Sequence, residues 1–90
     1  MRLMKKSIHS TEYEAICRKL LEMRRLAGMT QQQLADALAR EQSFVWRIEN
    51  GERRLDLLEF FWVCRALGQD ARAVYSELAS AWGDGDGGGR

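Results

Sequence analysis

Apolar and polar residues along the chain recur with the period of helices. Tyr13, Ile16, Cys17, Leu20 and Leu21 keep the i, i+3, i+4, i+7, i+8 spacing of one helix face, and Arg18, Lys19, Glu22 and Arg25 fall off it. Thr11 stands three before Glu14, a capping-box spacing, and Gly28 supplies a stop, so a first helix is predicted over 11–27. Thr30 with Gln33 repeats the capping signal ahead of Leu34, Ala35 and Leu38, which form the apolar face of a short helix over 31–38. After a break at Ala39-Arg40-Glu41, Val45 and Ile48 mark a third helix over 42–49, closed by Asn50-Gly51. Asp56 with Glu59 opens a fourth over 57–67, ended by Gly68; Asp70 opens a fifth over 71–82, with Val74, Leu78 and Ala81 on one face. No strand-period alternation competes, and no repeat of fixed period appears. The prediction is an all-α domain over 11–82, with a flexible arm over 1–10 and a disordered Gly-rich tail over 83–90.

Two short helices joined by a tight turn bury little by themselves. They need the first, fourth and fifth helices as a platform, which is the layout of a helix-turn-helix unit whose second helix projects its outer face. If Val45 and Ile48 point inward, the helical period turns Gln42, Ser43, Trp46 and Arg47 outward. Those types suit base reading. Gln pairs with adenine in two places, Arg forks onto guanine, Ser donates or accepts, and an apolar ring touches a thymine methyl. Gln31 opens the second helix, where unsatisfied amides suit a phosphate, and Asn50, Arg53 and Arg54 follow the third helix and suit a phosphate on its far side.

Charge supports this mildly. The net charge is only +1, but residues 1–54 hold 11 Lys/Arg against 7 Asp/Glu, or +4, whereas 55–90 hold 3 against 6, or −3. The basic excess therefore lies with the predicted helix-turn-helix, as a polyanion partner would want. At 46% hydrophobic and 30% charged residues the composition is that of an ordinary globular chain. No apolar run approaches the ~20 residues of a bilayer span. Met1-Arg2-Leu3-Met4-Lys5-Lys6 carries charge with no apolar stretch behind it, so no secretory leader is expected there. Two cysteines make no disulfide framework, and a reducing cytoplasm is the expected setting.

The order of residues also resembles a known family. Residues 20–78 are similar to the Cro/phage-repressor-like, or xenobiotic-response-element (XRE), helix-turn-helix family. The likeness is carried by Leu20-Leu21-Glu22-Met23-Arg24-Arg25-Leu26-Ala27-Gly28-Met29-Thr30-Gln31-Gln32-Gln33-Leu34-Ala35. It continues through Ser43-Phe44-Val45-Trp46-Arg47-Ile48-Glu49-Asn50-Gly51-Glu52-Arg53 and Arg65-Ala66-Leu67-Gly68. The resemblance implies a compact five-helix, lambda-repressor-like fold that docks the third helix in the major groove of double-stranded DNA. It further implies a homodimer on a palindromic operator and a role as a transcriptional repressor or regulator. It places Gln42, Ser43 and Arg47 at base-facing positions and Gln31 and Asn50 at backbone-contacting ones, and it pairs Arg24 with Glu49 as a tie between the first and third helices. Three residues depart from the pattern: Ala39 where the turn has Gly, Glu41 where Ser, Thr or Pro is usual, and Trp46 in place of a small residue. Ala in a left-handed turn position costs about 1 kcal/mol, so the turn is a candidate for reshaping.

Other chemistry is thinly represented. Met4, Met23, Met29, Phe44, Phe60 and Phe61 read as core filler, and Cys17 and Cys64 as small buried residues without the company a metal needs. His9 stands alone, and Asp84-Gly85-Asp86-Gly87 lacks the remaining ligands of a calcium loop. No enzyme and no cofactor are expected. The stronger rival is a protein-binding role. The fourth helix is apolar nearly all round, and Leu57, Phe60, Val63, Cys64 and Leu67 suffice for a core stripe. That leaves Leu58, Phe61 and Trp62, with Tyr75, Leu78 and Trp82 of the fifth helix, as a surface patch suited to a homodimer seam. The same patch would serve an antitoxin or adaptor that binds a partner such as a toxin.

Overall fold

The computed structural model describes residues 10–83. The expected arm and Gly-rich tail lie outside them, apart from Ser10 and Gly83, which join the first and last helices. Five helices follow in order: α1 Thr11–Leu26, α2 Gln31–Ala37, α3 Gln42–Glu49, α4 Leu57–Ala66 and α5 Ala71–Gly83. The described residues contain no strand.

Four of the five starts are set by side-chain caps. Thr30 accepts from the Gln33 amide and Gln33 returns to the Thr30 N–H; Asp56 and Glu59 do the same for α4. Asp70 takes the Arg72 amide at 3.1 Å at the head of α5. At α1 the cap is Ser10, whose hydroxyl accepts from the Tyr13 amide, and not Thr11. Adjacent hydroxyl residues are equivalent capping signals, and the earlier one adds a residue to the helix. The stops share one geometry. Beyond α1, α2 and α4 the next two amides fold back on the last turn's carbonyls, through Gly28, Ala39 and Gly68 respectively. Ala39 takes the left-handed conformation (φ 57°) that the glycines take at φ 71° and 75°. The turn is therefore not reshaped to suit alanine. The alanine is bent to suit the turn.

The core gathers Leu20 and Met23 of α1, Leu34 and Ala35 of α2, Phe44, Val45 and Ile48 of α3, Val63, Cys64 and Leu67 around α4, and Val74 and Leu78 of α5. α2 and α3 pack on each other and are carried by α1 and α4. Some sides differ from expectation. Leu57 is 81% exposed, because as the first residue of α4 it precedes the turn that meets the core. Leu78 is 6% exposed and belongs to the core rather than to a surface patch, and Ala81 is exposed instead. The Lys19–Glu77 ion pair ties α1 to α5 at the surface.

Candidate nucleic-acid interface

α3 presents two faces. Phe44, Val45 and Ile48 lie in the core, at 4% exposure or less, and Gln42, Ser43, Trp46, Arg47 and Asn50 are exposed. A helix of eight residues buried on one side can move little without breaking that packing, so its polar side is a rigid surface. Trp46 is 46% exposed on this side. The Asn50 side-chain amide donates to the Trp46 carbonyl at 2.9 Å and closes the C-terminal turn. Glu41 stands at the N-cap of α3 with no side-chain cap hydrogen bond, unlike the caps of α1, α2 and α4.

The inner end of α3 is anchored by an ion pair. Arg24 donates Nε to Glu49 Oε2 at 2.6 Å and Nη2 to Oε1 at 3.0 Å, and its Nη1 reaches the Met29 carbonyl at 2.9 Å. The Glu49 side chain is 3% exposed. Its hydrogen bonds hold the Arg24 guanidinium above its ordinary range, against the opposing effect of burial. Glu49 Oε1 also accepts from Gln31 Nε2 at 3.0 Å, and Gln31 Oε1 accepts from Gln42 Nε2 at 2.6 Å. Thus Gln31, expected at a phosphate, and Gln42, expected at a base, are one hydrogen-bonded unit. They are eleven residues apart in sequence, and only the packing of α2 on α3 brings them together.

A second network braces the other flank. Glu59 accepts from Arg53 through both carboxylate oxygens, at 2.9 and 3.0 Å, and lies 3.7 Å from Arg40. Arg40 stacks over the Phe44 ring at 3.9 Å and Arg53 lies 5.0 Å from it. Arg53 is therefore engaged by the protein itself. Arg40, which the sequence did not single out, completes the cluster: a lone arginine in a turn carries no periodic signal. Arg54 lies over the Tyr13 ring at 5.5 Å, and the Tyr13 hydroxyl donates to the Arg53 carbonyl at 3.0 Å.

The expected apolar patch divides. Leu58, Phe61 and Trp62 are exposed along one side of α4, with Phe61 and Trp62 edge to face at 5.2 Å. Tyr75 is exposed and Trp82 half-buried on α5, edge to face at 6.2 Å; they line a cavity of about 180 Å³ that Tyr13, Leu57 and Phe60 also line. Trp62 instead borders a groove with Leu38 and Ala66. Among the described residues no cluster of His, Cys, Asp and Glu is arranged to hold a metal ion, and no helix is long and apolar enough to cross a membrane.

Comparison with known proteins agrees with this geometry. The helix-turn-helix domain family matches residues 15–75. Among solved structures, an XRE-family like protein from Pseudomonas syringae pv. tomato str. DC3000 is 49% identical, covering 82% of this chain and 90% of that one at a TM-score of 0.78. The clp gene regulator ClgR from Corynebacterium glutamicum is 26% identical, covering 80% of this chain and 77% of that one at a TM-score of 0.70. No curated protein gives a significant match. The family match, the half-identical XRE relative and the exposed polar face of α3 converge: the chain belongs to the XRE-like helix-turn-helix family of DNA-binding transcription regulators.

Proposed function

We propose that this protein is a sequence-specific regulator, acting as a repressor, that enters the major groove of double-stranded DNA with α3 and binds a palindromic operator as a homodimer. One observation carries the reading: α3 commits its apolar residues to the core and leaves Gln42, Ser43, Trp46 and Arg47 exposed together on a fixed surface. Those four are the base readers. Gln31, Asn50 and Arg54 are the backbone contacts, and Arg53 reaches a phosphate only in the company of the Glu59 carboxylate, which reduces its share. Leu58, Phe61 and Trp62 supply the dimer seam, since a small monomer seldom exposes such a set; Tyr75 is exposed on a separate surface, beside Trp82. The same exposure also fits a second reading, in which an antitoxin or adaptor offers this surface to another protein. The test is selection of bound duplexes from a random pool. A palindromic motif supports a dimeric reader, and recovery of no motif excludes sequence-specific recognition.

A further inference from the structure

α1, α4 and α5 together form the cavity of about 180 Å³ that Trp82 lines. Tyr13 and Ile16 of α1, Phe60 of α4 and Leu78 of α5 make its walls apolar, and the exposed Leu57 and Tyr75 give it a mouth on solvent. Two polar groups along it are already engaged. The Tyr13 hydroxyl donates to the Arg53 carbonyl at 3.0 Å, and an Asp56 carboxylate oxygen accepts from the Glu59 amide at 2.7 Å. Trp82 differs. Its indole Nε1 is buried and, among the described residues, is the buried side-chain polar atom that meets no hydrogen-bond partner. An indole N–H can only donate, and a buried donor left unmet costs stability. This donor calls for an acceptor from outside the fold.

We propose that this cavity binds a small neutral molecule, one ring or a short chain in size, that is apolar except for a single hydrogen-bond acceptor directed at Trp82 Nε1, and that its binding is felt in the segment after α3. Size, surroundings and charge each narrow the class. An apolar cavity of roughly 150 Å³ admits benzene, so this one suits a singly substituted ring. Water is a poor occupant, because it needs about two to four polar partners and the buried lining offers one unmet donor. An anion is disfavoured by the Asp56 carboxylate on the lining, and a cation would have to pair with a group that already caps α4. A carbonyl on an otherwise apolar body meets all three conditions. The site does not depend on how α3 meets DNA, but its position gives occupancy a consequence. Tyr13 holds the Arg53 carbonyl, and the Arg54 guanidinium lies over its ring at 5.5 Å, so a molecule packed on Tyr13 bears on both arginines.

The experiment is a proton–nitrogen NMR titration of the full chain with acetophenone, which carries one carbonyl, and with toluene, which carries none. The Trp82 indole signal is found by elimination, using Trp46→Phe and Trp62→Phe at exposed positions. Acetophenone is expected to move the Trp82 indole signal to saturation and to leave the Trp46 and Trp62 indoles in place, with the Arg53 and Arg54 amides moving in step. Trp82→Phe keeps an apolar wall and removes the donor. The ratio of acetophenone to toluene affinity is then expected to fall roughly three- to tenfold, the worth of one hydrogen bond. Comparing ratios cancels any loss of packing common to both probes. No saturation with either probe overturns the proposal, as would follow if a second copy or residues outside 10–83 filled the cavity. A ratio unchanged by Trp82→Phe also overturns it, because the probe is then an adventitious additive only. If Trp82→Phe fails to fold, the wild-type titration decides alone: a Trp82 indole that acetophenone moves no further than toluene does refutes the hydrogen bond. Movement that stops short of Arg53 and Arg54 refutes the link to the segment after α3.

Discussion

Ala39 provides a test in which the fold contains its own controls. α2 ends as α1 and α4 do: the Ala39 amide reaches Asp36 O at 3.1 Å and the Arg40 amide reaches Ala35 O at 2.9 Å, matching the bonds made around Gly28 and Gly68. Only here does a Cβ occupy the left-handed position. That conformation costs an L-residue about 1–2 kcal/mol because Cβ crowds the following carbonyl. Ala39→Gly removes this cost. It also frees the unfolded chain, which offsets about 0.4–1 kcal/mol. The expected net effect is a stabilisation of about 0.5–1 kcal/mol. For a domain of this size that raises Tm by about 2–8 °C. Urea titration followed by far-UV circular dichroism should show a higher midpoint at an unchanged slope. Gly68→Ala is the mirror experiment. Nothing lies within 4 Å of the Cβ it would add, so strain alone acts, and a loss of about the same size is expected. If Ala39→Gly fails to stabilise while Gly68→Ala destabilises, the left-handed strain assigned to Ala39 is refuted.

Arg47→Ala is expected to cost about 1–3 kcal/mol on the selected operator and to relax preference at one base position; equal losses on all duplexes would remove Arg47 from the base readers. If the exposed stripe of α4 is the proposed dimer seam, sedimentation should report a dimer for the wild type and a monomer for Trp62→Glu, which places a charge there; a variant of wild-type mass would take the stripe out of the seam. Glu59 titrates below its ordinary 4.5, chiefly because Arg53 hydrogen-bonds the charged form. A depressed folded pKa gives stability that is present above about pH 4.5 and is lost as pH falls through the lower folded value. Glu59→Gln should therefore be less stable than wild type at neutral pH and converge with it in acid, as read from urea midpoints across pH.

The helices were legible because their signals are local. Thr30 with Gln33 and Asp56 with Glu59 are capping pairs three residues apart, and the structure forms both boxes. The inward turn of Val45 and Ile48 followed from their spacing, and the exposure of Gln42, Ser43, Trp46 and Arg47 followed from theirs. α4 was less legible because it is apolar nearly all round. Period alone cannot choose its core side, and Leu57 emerged exposed where a buried stripe was expected. Leu78 lies on the apolar face that buries α5, and the periodicity of that helix had already placed it there with Val74. Of the pairings between elements, Arg24 with Glu49 was anticipated from the family resemblance and is formed, but the others were not legible. Gln31 with Gln42, and Arg40 and Arg53 with Glu59, join residues on different elements, and no spacing rule connects them.

These pairings bear on how tightly the protein can hold DNA of any sequence. The basic excess near the helix-turn-helix suggested an electrostatic grip, yet the structure engages three of its arginines internally: Arg24 with Glu49, Arg53 and Arg40 with Glu59. Each phosphate neutralised by a cation adds about −0.9 to the slope of log affinity against log salt. Cations already matched by carboxylates contribute less to that slope, so recognition depends more on the face of α3. Glu59→Gln tests this directly. It leaves Arg40 and Arg53 stacked on Phe44 but removes their counter-charge. Binding to random duplex should then tighten, its salt slope should steepen by up to about 2 per subunit, and the margin between operator and random DNA should narrow. If the slope stays at its wild-type value, neither arginine lies within reach of a phosphate, and their task is to brace the recognition helix alone.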